Sequence, residues 1–107
     1  LTIYKAPYEQ FAVSLDFAAD LGAGNSIASI TAVAATSSLS QLDSTQEVIA
    51  SNPAPAVSGT AVTFVLAGSS PNGPSGGVVG ERHTIAVQIV SSIGEKYQGD
   101  VTLEIVE

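Results

Sequence analysis

In two stretches near the end of the chain, residues alternate in character with a period of two. His83, Ile85, Val87 and Ile89 interleave with Thr84, Ala86 and Gln88; Tyr97, Val101, Leu103 and Ile105 interleave with Asp100, Thr102 and Glu104. Successive side chains of a strand point to opposite faces, so each stretch reads as a strand with one buried face. Ser92-Ile93-Gly94 between them reads as a hairpin connection, with Gly94 where a positive φ is needed. The same period appears earlier. Phe11, Val13, Leu15 and Phe17 share one parity of Glu9–Phe17, and Val62, Phe64 and Leu66 share one parity of Thr60–Ala67. On the opposite face of the latter, Thr63 and Val65 are less polar than usual, which suggests a covered face.

Two further stretches are expected to be extended. Ile27–Thr36 carries β-branched residues, with Ile30, Ala32 and Ala34 on one face and Thr31, Val33 and Ala35 on the other. Gln46–Ala50 reads as a short strand through Val48 and Ile49. Turn chemistry separates the elements: Asp20–Ser26, Ser51–Pro55 and Ser58-Gly59 are rich in Gly, Asn, Ser and Pro. Gly99 interrupts the last strand and is expected to mark a bulge. Six or seven short strands and no convincing helix in 107 residues predict one all-β domain, residues 1–107. Its expected architecture is an Ig-like antiparallel β-sandwich of about seven strands. The Cys…Trp…Cys core of antibody domains is absent, since the chain has neither residue type.

Charge narrows the partners. Three basic and ten acidic residues give a formal net charge of −7. A polyanion would be repelled, so neither nucleic acid nor an acidic membrane face is an expected partner. No run of 18 apolar residues occurs, and no basic segment leads into an apolar one, so neither a membrane-spanning helix nor a signal peptide is expected. Zero cysteines exclude disulfides, thiolate metal sites and a cysteine nucleophile.

Candidate chemistry is sparse. The single histidine, His83, lies on an inward parity, where a hydrogen-bonded, partly buried structural ring is expected. No Gly-x-Ser-x-Gly elbow accompanies it, and a hydrolytic nucleophile and base are not expected to assemble around it. Among metals calcium suits the available oxygen ligands best, with Asp16, Asp20, Asn25 and Asp100 as weak candidates at one sandwich end. They lack the Asp-x-Asp spacing of a calcium loop, so no metal and no cofactor is expected. Gly22-Ala23-Gly24 and Gly76-Gly77-x-x-Gly80 open no helix and carry no Walker lysine, which makes them turn glycines rather than phosphate cradles.

The segment with most scope for binding is Gly68–Gly80: 13 residues with five glycines, Pro71 and Pro74. Structureless loops of this length tend to be functional or disordered. Its central residues Ser70, Pro71, Asn72, Gly73 and Pro74 are the candidate partner contacts. Tyr4 and Tyr8 join them, since tyrosine is enriched at interface hot spots.

Two segments carry a resemblance. Tyr8-Glu9-Gln10-Phe11-Ala12-Val13-Ser14-Leu15-Asp16-Phe17 is one; Gly80-Glu81-Arg82-His83-Thr84-Ile85-Ala86-Val87-Gln88-Ile89, continuing through Ser91–Tyr97 to Asp100–Leu103, is the other. Together they resemble small Ig-like structural proteins of tailed bacteriophages and prophages, some of them fiber–tail adaptors. In that family a Tyr often stands where His83 stands here, so a tyrosine-corner bond is not expected. The resemblance implies a non-enzymatic virion component, tail- or head-associated, that contacts other virion proteins or further copies of itself and is made in the bacterial host cytoplasm. The alternative is an Ig-like spacer, adhesion or carbohydrate-binding module of a bacterial surface protein; the lack of an internal repeat speaks against a tandem array.

Overall fold

The computed structural model describes residues 1–107. Seven strands and two single helical turns follow the chain: β1 (Thr2–Lys5), β2 (Phe11–Asp16), α1 (Ala18–Leu21), β3 (Ile27–Ser37), α2 (Thr45–Val48), β4 (Ala56–Ser58), β5 (Ala61–Leu66), β6 (Arg82–Ser91) and β7 (Lys96–Ile105). They form an all-β sandwich of two sheets, ordered β1-β7-β6-β3 and β2-β5-β4. Strands 3, 6 and 7 in one sheet and 2, 5 and 4 in the other is the distribution of Ig-like sandwiches.

The inward parities anticipated for β5, β6 and β7 are buried: Val62, Phe64, Leu66, Ile85, Val87, Ile89, Val101 and Leu103 are each at most 1% exposed. Two sheets meet face to face only when such rows interdigitate, and each fully buried aliphatic side chain contributes roughly 1.5–3 kcal/mol. Between β6 and β7 the ladder runs unbroken from Arg82↔Glu104 to Val90↔Lys96. The hairpin turns at Gly94, φ 87°, as its sequence requires.

Several expectations need correction. The sandwich is not wholly antiparallel, because β1 runs parallel to β7, from Thr2↔Thr102 to Lys5↔Ile105. Parallel neighbours need a crossover rather than a hairpin, and here the rest of the chain intervenes between the two strands. Gly99 is not a bulge: it pairs in register with Val87. A Cβ there would lie 2.7 Å from Leu15 Cδ2 and 3.3 Å from the Phe17 ring, so glycine lets the second sheet close onto β7. The register shifts lie instead in β3, between Ile27 and Ser29 and between Ile30 and Ala32. Gln46–Ala50 is no strand. Its first part lies in α2, where the Asp43 carboxylate accepts the Thr45 N–H (2.9 Å) and hydroxyl (2.6 Å) and holds the turn. Its last part crosses to β5, through an Ile49↔Leu66 bridge and the Ala50 N–H donating to the Val65 carbonyl (2.8 Å). Asp20 and Leu21, anticipated as turn residues, belong to α1. Phe11 is less inward than its parity suggests, at 36% exposed.

Candidate functional site

The candidate docking surface begins with a buried lysine. Lys5 closes β1 with its side chain fully buried, and Nζ donates to the carbonyls of Ala6 (2.9 Å), Pro7 (3.2 Å) and Glu9 (2.9 Å). Burial lowers its pKa, an effect the Glu9 carboxylate partly opposes. Gathering three carbonyls around one ammonium folds residues 6–9 into a turn, closed by the Glu9 N–H on the Ala6 carbonyl (3.0 Å) and the Ala6 N–H on Glu9 Oε1 (2.7 Å). Tyr8 rides on this turn, 82% exposed.

The Gly68–Gly80 segment is tied to the same turn. The Ser69 N–H donates to the Pro7 carbonyl (2.8 Å) and the Gly68 N–H to Gln10 Oε1 (3.2 Å). Its second half is anchored to α2, with Ser75 N–H on Glu47 Oε2 and Gly76 N–H on the Glu47 carbonyl, both 3.0 Å. Gly68, Gly76 and Gly77 are buried, whereas Ser69–Gly73 are exposed and Pro74 is half-buried. A segment whose composition suggested disorder is therefore pinned at both flanks, with a tip closed by the Ser70 N–H on the Pro74 carbonyl (3.0 Å).

Two shallow clefts flank the Tyr8 ring. One, about 550 Å³, is lined by Tyr8, Glu9, Gln10, Phe11, Gly68, Ser69 and Ser70. The other, about 430 Å³, is lined by Tyr8, Ser69, Ser70 and Pro71. Of the candidates, Tyr8, Ser70 and Pro71 come together here. Asn72, Gly73 and Pro74 form the loop tip beyond the clefts. Tyr4 lines neither; it is 64% exposed on the outer face of the other sheet, paired in register with Glu104, whose carboxylate binds Arg82 at 2.7 Å. Lys5 escaped the sequence reading, and Phe11 reads there as an inward strand residue rather than as a cleft wall. A lone lysine reads as a surface charge, and only its place at the end of a four-residue strand reveals its task.

His83 is the hydrogen-bonded, inward-facing ring that the sequence leads us to expect, and it is more fully buried. A serine and a carboxylate flank it: Ser44 Oγ lies 2.7 Å from Nδ1 and Glu81 Oε1 lies 2.6 Å from Nε2. Residues 42–45 lie along the edge of β3, with Ser37 N–H on the Leu42 carbonyl and Ser44 N–H on the Ala35 carbonyl, and this delivers Ser44 from far along the chain. Glu81 also accepts the Ser37 hydroxyl (2.7 Å) and the Val78 N–H (3.1 Å). The carboxylates of Asp43 and Glu47 line the same cleft of about 370 Å³. Asp43, Glu47 and Glu81 thus bring three carboxylates into the cleft that Ser44 and His83 also line. The Ser44–His83–Glu81 hydrogen bonds tie the 42–45 segment to the start of β6.

Burial pushes the Glu81 pKa up, but hydrogen bonds from Ser37 and Val78, together with His83, outweigh it, and the net direction is down. A carboxyl whose pKa is lower folded than unfolded contributes stability above its unfolded value and loses it as pH falls through the folded one. Denaturant melts are therefore expected to show stability falling on acidification below about pH 4, with a shallower fall in Glu81→Gln.

The weak calcium candidates do not form a cage. Asp16 Oδ1 accepts the Thr60 hydroxyl (2.8 Å) and the Ala18 N–H (2.9 Å), which lower its pKa. Asn25 Oδ1 accepts the Ser26 N–H and the Ser92 hydroxyl. Asp100 sits mid-strand on β7, opposite Ala86, and accepts from Gln98. No three His, Cys, Asp or Glu residues are grouped to hold a metal ion.

Neither a protein-family model nor any curated protein matches the chain.

Proposed function

We propose that the protein is a non-enzymatic structural component of a tailed-phage or prophage particle, docking onto other virion proteins through its Tyr8 end. The carrying observation is a largely exposed tyrosine held on a turn that a fully buried lysine organises. An anchor presented in one conformation loses little entropy on binding, which is what a permanent assembly contact needs. Ser70 and Pro71 extend the contact from a loop already pinned at its flanks. The net charge of −7 matches protein partners rather than nucleic acid. The resemblance of the Tyr8–Phe17 and Gly80–Leu103 segments to phage Ig-like proteins supplies the particle.

Mass spectrometry of gradient-purified phage particles tests this. The expected result is peptides of this protein at a fixed ratio to the major capsid or tail proteins. Tyr8→Ser is expected to change folding stability by no more than about 0.5 kcal/mol and to lower incorporation at least tenfold. Clean particles lacking the protein would overturn the reading in favour of a surface module.

A further inference from the structure

Beside the Tyr8 turn runs an open sheet edge. β2 pairs only with β5, in unbroken register from Phe11↔Leu66 to Asp16↔Ala61. The Phe17 N–H donates to the Thr60 carbonyl (2.8 Å), which continues that register and marks the hydrogen-bonded pairs. By antiparallel alternation, Phe11, Val13 and Leu15 turn their backbone groups to β5, and Ala12, Ser14 and Asp16 turn theirs to the open side. The opposite strand agrees: Val65, paired with Ala12, sends its carbonyl the other way, to the Ala50 N–H. Ala12 and Ser14 are exposed and small, so nothing bulky stands over these donors and acceptors.

The other edges suit such pairing less well. β4 has three residues and follows Pro53 and Pro55, and β1 has four. β3 carries two register shifts, and the 42–45 segment covers its end. In sandwiches of this type the first strand commonly pairs with the second; here β1 lies on β7 instead and leaves that place vacant. The cleft of Tyr8 and Phe11 lies at the start of β2, with Gly68, Ser69 and Ser70 as its wall on the β5 side, and the acidic residues Glu9 and Asp16 stand at the two ends of the strand.

We propose that the β2 edge is a strand-addition site for an extended segment of a partner protein, uncharged along its length and flanked by basic residues, with one apolar side chain seated between Tyr8 and Phe11. Main-chain hydrogen bonds to Ala12 and Ser14 supply affinity, the cleft supplies selectivity, and Glu9 and Asp16 select the basic flanks. This deepens the docking function and rests on the Tyr8 end being the docking end.

The probe is a fluorescent peptide of sequence KVTVTVK, followed by anisotropy and by amide exchange of the full chain. Saturable binding is expected, with the Ala12 and Ser14 amides protected on binding. Affinity is expected to fall at least tenfold for Ala12→Pro, which removes an outward N–H and spares the β2–β5 ladder, and for the acidic peptide EVTVTVE. If Ala12→Pro does not fold, a KVTVTVK peptide N-methylated on alternate residues makes the same test on the unaltered protein. Absence of binding at millimolar peptide, binding without protection of Ala12 and Ser14, or protection that rises with protein concentration alone (self-pairing of the edge) would each overturn the proposal. A negative peptide result beside lost incorporation of Tyr8→Ser removes only strand addition; edge-specific binding beside particles that lack the protein removes only the virion reading.

Discussion

A Val87→Asp chain is expected to be unfolded at room temperature, with collapsed amide dispersion and no cooperative melt. Val87 is fully buried at the centre of β6, between Val33 and Gly99 on the flanking strands. No cation is free to meet a carboxylate there: Lys5 is held by three carbonyls, Arg82 binds Glu104, and Lys96 stands exposed at the start of β7. An uncompensated buried charge costs about 3–5 kcal/mol, on top of the valine's lost burial. Against a total of about 5–15 kcal/mol for a domain, that is enough to unfold it. Thr84→Asp, on the exposed face of the same strand, is expected to melt within about 0.5 kcal/mol of the parent. A folded Val87→Asp would reverse the strand's faces.

Gly76→Val is expected to be the most damaging change in the loop. Gly76 has φ 76°, and a Cβ on it would fall 2.0 Å from the Pro7 carbonyl oxygen and 2.8 Å from the Ser69 nitrogen. Both obstacles are backbone, and they belong to the backbone hydrogen bond that joins the loop to the Tyr8 turn. Left-handed strain and the displaced contacts together cost about 2–4 kcal/mol, and the Tyr8 environment is expected to change with them. Chemical denaturation and the Tyr8 ring resonances measure the two effects. Gly73→Ala, which meets only the Ser70 side chain, is expected to leave both near the parent values.

Long alternating segments were legible because burial of one face imposes the period directly. β5, β6, β7 and the Gly94 turn therefore follow from the residues alone. β1 and β4 are too short to show a period, and what holds them is pairing with distant partners. α2 forms where β propensity favoured a strand, because Asp43 captures the Thr45 amide and hydroxyl before Val48 and Ile49 reach the core. Gly99 looked like a local irregularity but is a contact between sheets, which neighbours in sequence do not encode. The proposed docking end was half legible: exposed tyrosine and a Gly/Pro loop were apparent, whereas the lysine that organises the turn depends on long-range placement, as does the serine beside His83 elsewhere.

The interment of Lys5 also settles how the molecule can be handled. The chain has two lysines, and with Lys5 buried the side-chain amine open to solvent belongs to Lys96. Lys96 starts β7, and the strand ends at Ile105, which lies against Gly77 of the pinned loop. An amine-reactive linker therefore has one side-chain point of attachment, at the opposite end from Tyr8. A surface loaded through Lys96 would carry the molecules in a common orientation, with their aromatic ends facing the solution.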